Sequence, residues 1–396
     1  MKAVEPGQSV PNGIYLDTPV LTAVNQIKPF FDYGVFDQRA TPIFLRRRGV
    51  VQAQRLFAAL PPELNVQVIR GSKIPMKTGV VFYPFNSQSN MNAVTQRNLR
   101  HVLTLHGESN KAASFRPAAR LYDYICVAGP IAIERYLKAG IFTSQDVDNG
   151  RLVQTGDSFV QRMPWLAPAA EGGRGVLYYC PTWEGYGTQA NNHSSVSGGV
   201  GFAIAAQAAR AIQTPTIVVK PHPYMGLLKP SMWNDFVKGV RELLAEGFDV
   251  QLALEGASTP LCAVLRIFLP KLKRVIQSTA NPLPVRLALT DVSGMESVLL
   301  VSRIPAQVIN HTKKKLLKSL DGVLAHKEVT PNTDVMRQAR SYLEVAQSID
   351  ETHRIRTFGY QTASVEKMNG PQRLEWLTKY VMQDPFWCRS PQRSGP

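Results

Sequence analysis

Hydrophobic positions in this chain fall into short apolar runs separated by stretches in which apolar residues recur at helical spacing. In the first half the runs are Ile43-Phe44-Leu45, Val66-Gln67-Val68-Ile69, Val80-Val81-Phe82-Tyr83, His101-Val102-Leu103-Thr104-Leu105 and Tyr124-Ile125-Cys126-Val127. Runs this short, bounded by polar residues, read as buried strands. Residues 50–60 and 131–139 carry the helical pattern between them. Strands alternating with helices predict a parallel sheet flanked by helices.

The pattern breaks at Met163-Pro164-Trp165-Leu166-Ala167-Pro168 and the following Ala169-Ala170-Glu171-Gly172-Gly173, whose Pro and Gly content predicts a linker. The alternation then restarts. Strands are expected at 175–179, 217–219, 250–253 and 287–289, with helices at 199–212 and 231–246. Residues 334–382 look mostly helical. The expected organisation is α/β: two doubly wound, Rossmann-like domains over 1–165 and 174–330, facing a central cleft. A helical tail over 331–396 is expected to pack back on the N-terminal domain. In such domains ligands bind where loops leave the carboxyl ends of the strands.

Length and composition leave this picture standing. The chain has 396 residues, of which 44% are hydrophobic, enough for two cores. No apolar stretch reaches the roughly 18 residues of a membrane helix. The start, Met1-Lys2-Ala3-Val4-Glu5-Pro6, has no hydrophobic signal core, so a cytoplasmic location is expected. Cys126, Cys180, Cys262 and Cys388 form no Cys-x-x-Cys pair, which fits free thiols in a reducing compartment. Charge adds more. The formal net charge of +16 favours phosphate-rich partners: nucleic acid, an anionic membrane surface or a polyanionic substrate. The clusters Arg46-Arg47-Arg48 and Lys313-Lys314-Lys315 with Lys318 are either solvated faces or contacts to such a surface.

Four polar segments directly follow predicted strands. His106-Gly107-Glu108-Ser109-Asn110-Lys111 places an imidazole suited to proton transfer at a strand end, with Lys111 on the next turn to hold an anion. In Lys220-Pro221-His222-Pro223 two prolines fix the backbone, so that the cation and imidazole are presented rigidly, as a diphosphate requires. Asp291, Ser293, Gly294, Glu296 and Ser297 start a helix, with amides open to phosphate and Glu296 within reach of a ribose hydroxyl. Pro181-Thr182-Trp183-Glu184 forms a polar loop with an aromatic residue. There is no Gly-x-Ser-x-Gly elbow, P-loop or Gly-x-Gly-x-x-Gly, and no metal-ligand spacing.

The order of these segments resembles the CDP-glycerol glycerophosphotransferase family, wall teichoic acid and capsule polymerases of GT-B fold. The matching positions are His106-Gly107 with Lys111, then Pro181-Thr182-Trp183, Lys220 to Pro223, and Asp291 with Ser293. The resemblance covers roughly residues 100–310. It implies that His106 is the base on an acceptor hydroxyl. His222, with Lys220, would bind the donor diphosphate. Thr182, Asp291, Ser293, Gly294, Glu296 and Ser297 would line the donor site, and Gly107 and Lys111 the acceptor or phosphate side. No metal or cofactor is implied. The implied partners are a CDP-linked donor and an anionic glycan or lipid-linked acceptor, with peripheral contact to an anionic membrane and no nucleic acid.

The sequence departs from the family pattern at three places. Asp291-Val292-Ser293-Gly294 stands for Asp-Tyr-Ser-Ser, and Glu184 for the arginine of Pro-Thr-Trp-Arg. Gly156-Asp157-Ser158-Phe159 stands where Gly-x-Pro-Arg is usual. The transferred group therefore stays open among glycerol phosphate, another phospho-alcohol and a sugar. The alternative reading is a GT-B glycosyltransferase that builds capsule or lipopolysaccharide from a nucleotide sugar. An epimerase on the same fold and a nucleic-acid-binding protein are the remaining classes; no recognised nucleic-acid module occurs.

Overall fold

Apolar alternation within each run decides how the sheets are built. In the computed structural model β1 (Asn12–Leu16), β2 (Ile43–Arg47), β3 (Val66–Arg70), β4 (Val80–Tyr83), β5 (Arg100–Leu103), β6 (Tyr124–Val127) and β7 (Leu152–Gln154) form one parallel sheet, ordered β3-β2-β1-β4-β5-β6-β7. Ile14, Val80, Phe82, Val102 and Cys126 pack into one core, while Tyr15, Val81, Tyr83, Leu103 and Ile125 pack into another. Successive side chains point to opposite faces of a strand. Both faces are therefore buried, as a parallel sheet covered on two sides requires.

The second sheet contains β8 (Leu166–Pro168), β9 (Val176–Cys180), β10 (Thr216–Val219), β11 (Asp249–Leu252), β12 (Lys273–Arg274), β13 (Leu283–Asp291), β14 (Ala306–Ile309) and β15 (Glu328–Val329). Its order is β12-β11-β10-β9-β13-β14-β15, and β8 also pairs with β13; every pairing is parallel. The expected linker is thus corrected in part. Leu166, Ala167 and Pro168 pair with Leu283, Pro284 and Val285. A proline is tolerated at such a margin because no ladder donor is needed there.

The described residues are 10–17, 23–47, 57–58, 60–105, 107–111, 115–170, 172–185, 193–226, 228–254, 269, 272–312 and 320–383. Most of the helix expected over 50–60 lies outside them, as do Arg48, Cys262, Cys388, Lys313, Lys314, Lys315 and Lys318. Arg46 is described. It donates from Nη1 to Oδ2 of buried Asp17 at 2.7 Å, so this member of its basic cluster is spent on an ion pair.

The chain divides into two units. One comprises Met1–Glu108, Ala113–Gln161 and Arg356–Pro396; the other comprises Ser109–Ala112 and Arg162–Ile355. The segment 331–396 is shared between them. Most of the helix Val335–Thr357 belongs to the second unit, and Tyr342 and Ala346 enter that unit's core. Leu374, Leu377 and Val381 of the helix Gly370–Met382 enter a core of the first unit.

The segment 358–361 is tied to the first unit through main chain. Gly359 N donates to Ala128 O at 2.8 Å, Gly156 N to Gly359 O at 2.8 Å, and Gln361 N to Gln154 O at 2.9 Å. A Cβ on Gly129 would run into the main-chain N of Gly359 and the carbonyl O of Thr357, neither of which can swing aside. Gly129→Ala is therefore expected to destabilise the first unit by about 2–4 kcal/mol. An unchanged thermal midpoint would mean that residues 357–359 do not pack against Gly129.

Candidate functional site

Sheet order reverses in the second unit between β9 and β13: β10 to β12 lie to one side, β14 and β15 to the other. Loops leaving the two adjacent carboxyl ends diverge and open a crevice, the place where doubly wound sheets bind ligands. Thr182 to Glu184 follow β9, Lys220 to Pro223 follow β10, and Val292 to Ser297 follow β13. The crevice thus collects all three polar segments that the sequence singled out in this unit.

Asp291 anchors this crevice. Its side chain is fully buried, and Oδ2 accepts from Thr182 N at 2.7 Å and Ser195 N at 3.1 Å. Burial raises its pKa to about 6, against the lowering by those hydrogen bonds. The sequence places Asp291 at the start of the next helix. Instead, β13 runs through Asp291 itself, so the side chain is directed to the loop beyond β9. The turn before the helix Met295–Val301 is held by Ser293, whose Oγ accepts from Met295 N at 3.2 Å and lies 3.2 Å from Thr290 Oγ1. Ser297 Oγ donates to Gly294 O at 2.8 Å. Ser293, Gly294 and Ser297 therefore build the turn with these contacts.

Three basic groups share this end of the sheet. Lys111 donates from Nζ to Thr182 Oγ1 at 2.7 Å. Burial lowers its pKa to about 8, while Asp291 acts in the opposite sense. His222 is held well below its usual pKa by burial first, then by the charges of Lys111 and Lys220. It is therefore neutral near pH 7. Its Nδ1 accepts from Tyr224 N at 3.0 Å. A main-chain N–H can only donate, so the imidazole proton resides on Nε2. Trp183 stacks on the ring, with centroids 5.8 Å apart and planes 14° from parallel, and Tyr224 packs edge-on against Trp183 at 5.2 Å. The ring is fixed on one face, and Nε2–H is its polar donor.

Glu184 shows why this loop lacks the expected arginine. Its buried carboxylate accepts from Gly226 N at 3.0 Å, Leu228 N at 2.8 Å and Lys229 N at 2.9 Å. It pins the segment that follows Lys220 to Pro223. Glu296 is also buried. Its Oε2 accepts from Asn110 Nδ2 at 3.1 Å, and His353 Nε2 stands 3.6 Å from Oε1. Glu184, Asn110, Ser195 and His353 were not identified from sequence. Each acts on a partner distant along the chain, and no local motif signals such a contact.

In the first unit, His106 lies outside the described residues. On either side of it, Leu105 takes a positive φ of 58°, and Glu108 forms a buried ion pair with Arg135. Among the described residues, nothing lies within 4 Å of where a Cβ on Gly107 would stand. His101 is a core residue. Its Nδ1 is 2.8 Å from Tyr83 Oη and its Nε2 is 3.1 Å from Gln96 O, and burial lowers its pKa to about 4. Burial raises the pKa of the Cys180 thiol to about 12 and pushes that of Cys126 upward as well. Among the described residues no group of three His, Cys, Asp or Glu side chains could hold a metal, and no helix is long and apolar enough to cross a membrane.

No family model and no curated protein matches the chain. Solved structures do. A candidate UDP-N-acetylglucosamine 2-epimerase from Listeria monocytogenes is similar over 89% of this chain and 93% of its own, at 10% identity and a TM-score of 0.49. The wall teichoic acid polymerase TagF is similar over 95% and 89%, at 10% identity and a TM-score of 0.45. A glycosyltransferase from Rickettsia africae is similar over 94% and 93%, at 10% identity and a TM-score of 0.42. At such identity the likeness concerns the fold. TM-scores under 0.5 leave the chemistry to be read from the residues themselves.

Proposed function

We propose that this chain is a GT-B-type transferase that moves a phospho-alcohol from a CDP-activated donor to a hydroxyl of a cell-surface polymer. The observation that carries the reading is the convergence of Lys111, Lys220 and neutral His222 beside the Thr182 hydroxyl at the reversal of the second sheet. Two cations that both act on the His222 ring repel each other, and a diphosphate between them relieves that repulsion. His222 would donate from Nε2 to a phosphate oxygen, and the Lys111 and Lys220 ammonium groups would neutralise charge in the transition state. The acceptor oxygen would form the new bond to the donor's β-phosphorus as the bond to the bridging oxygen breaks, releasing CMP. By resemblance His106 would take the hydroxyl proton. Use of a cytosolic nucleotide donor fits a cytoplasmic site of action, with peripheral access to a membrane-bound acceptor.

One observation favours a second reading. Glu184 is taken up by main-chain amides and supplies no cation, so less positive charge is available to a transferred phosphoryl group. Sugar transfer from a nucleotide sugar breaks a C–O bond and moves no phosphorus. Thermal shift with CDP, CMP, UDP, GDP and CDP-glycerol separates the readings. A ligand at 100 times its Kd stabilises the native state by about 2.7 kcal/mol. The expected result is a clear rise with CDP and CDP-glycerol that Lys220→Ala removes. A rise with UDP alone would move the assignment to sugar transfer, and no rise with any nucleotide would overturn both readings.

A further inference from the structure

The first unit carries two costly local features just beyond the carboxyl end of β5, at residues 105 and 108. Leu105 takes a φ of 58°, in the left-handed region that residues with a Cβ avoid. Its side chain packs against a core of the same unit. Thr104 Oγ1 lies 3.1 Å from Leu105 O and 3.3 Å from Tyr83 O at the end of β4. Glu108 forms an ion pair with Arg135 of the helix Pro130–Lys138, and the two side chains are 11% and 5% exposed. Arg135 Nε also donates to Ile131 O at 3.4 Å, within its own helix, which holds the plane of the guanidinium.

Neither feature is one that stability alone selects. A buried ion pair is expensive to desolvate, and apolar residues of similar volume commonly replace it without loss of stability. A left-handed leucine persists only where its surroundings over-determine it, and such strain gathers at functional sites. The two features bracket His106 and Gly107. Gly107 brings no side chain to the turn. Among the described residues, support for the turn therefore comes from its ends. Leu105 is anchored in the core at one end, and the planar guanidinium fork holds Glu108 at the other.

We infer that Leu105 and the Glu108–Arg135 pair are positioning residues for the acceptor base: they fix the turn that carries His106. This inference rests on the transferase reading given above, in which His106 takes the acceptor proton. A reacting group displaced by about 1 Å loses roughly 100-fold in rate. Donor affinity is set by Lys111, Lys220 and His222, which belong to the second unit, so kcat should respond and donor binding should not.

The test replaces the pair by apolar residues in the full-length protein, as Glu108→Met combined with Arg135→Leu. The thermal midpoint should be unchanged or raised, and calorimetric CDP affinity should stay within about twofold. The kcat for CMP release from CDP-glycerol, with glycerol as acceptor, should fall about 100-fold. Hydrogen exchange in the peptide spanning 105–108 should quicken about tenfold or more. Arg135→Lys keeps the charge but loses the planar fork, and should retain part of the rate. Leu105→Gly accepts the left-handed φ but lacks the anchored side chain. It should lower kcat about tenfold, and it decides the matter if the double variant does not fold. Unchanged exchange and unchanged kcat in the double variant would overturn the inference and leave the donor reading standing. Parallel losses of midpoint, CDP affinity and kcat would make the pair merely structural and overturn its assignment. CDP binding without turnover in the wild type would overturn the role of His106 as base, and this inference with it. Absence of binding by both CDP and UDP would overturn the donor reading, and again this inference with it.

Discussion

Glu184→Ala is expected to destabilise the second unit by about 3–5 kcal/mol, a shift of roughly 10 °C in its thermal midpoint. Three main-chain donors, Gly226 N, Leu228 N and Lys229 N, lose one shared acceptor, and an alanine offers none. The Gly226 bond is buried and those of Leu228 and Lys229 are part-buried, and a buried N–H left without a partner costs far more than an exposed contact does. The effect is concentrated at Gly226, whose bond to Glu184 is the buried one. The φ of Gly226 is +74°, and a Cβ there would run into the Trp233 indole. Glu184→Gln keeps the oxygen acceptor but gives up the charge and one oxygen, so about half of the loss is expected. The loop so released directly follows Lys220 to Pro223, and nucleotide affinity should fall along with stability. An unchanged midpoint in Glu184→Ala would show that these three bonds carry no weight.

That prediction concerns a residue the sequence presented only as a missing arginine. Apolar runs located β2, β3, β4, β5, β6, β9, β10, β11 and β13, and most of these, such as β4, β6 and β9, are buried on both faces; β3, with Val68 exposed, is not. They missed β1, β7, β8, β12, β14 and β15. The Ala306-Gln307-Val308-Ile309 run is broken by a buried glutamine, β15 has only two residues, and the prolines around β8 read as a linker. The polar segments were legible because parallel sheets place function at carboxyl strand ends, a rule that needs only the strand and the loop leaving it. Their individual roles were not. Asp291 reads locally as a cap, yet its partners are Thr182 and Ser195, roughly 100 residues away in sequence. Glu184 and His353 likewise find partners through sheet order and helix packing, which a hydrophobic pattern does not encode.

His222→Ala is expected to weaken nucleotide binding and to reduce turnover about 100- to 1000-fold, the scale for removing one preorganised donor to a developing charge. His222→Gln is the informative variant. Glutamine places an N–H near the position of Nε2 but cannot accept a proton as a base. If His222 acts as a neutral donor, as its bond from Tyr224 N requires, His222→Gln should retain most of the lost activity. Acid–base behaviour gives an independent check. The folded pKa of His222 lies below the ordinary 6.5, so folding favours the uncharged ring. The stability linked to this group is fully present above pH 6.5 and is lost as pH falls toward the folded value, at most about 1.4 kcal/mol per pH unit. Asp291 works the other way. Its pKa is raised to about 6, so its contribution is full below its ordinary 3.8 and is lost as pH rises through 6. The two partly cancel between pH 4 and 6 in the wild type. Removing the imidazole leaves Asp291 unopposed at this site, so His222→Gln should unfold less steeply than the wild type on going from pH 6.5 to 4.5. Nucleotide affinity should show no titration near 6.5 that is abolished by His222→Gln. A bell-shaped rate profile whose acid limb near pH 6.5 disappears in that variant would make His222 a base and reverse the assignment.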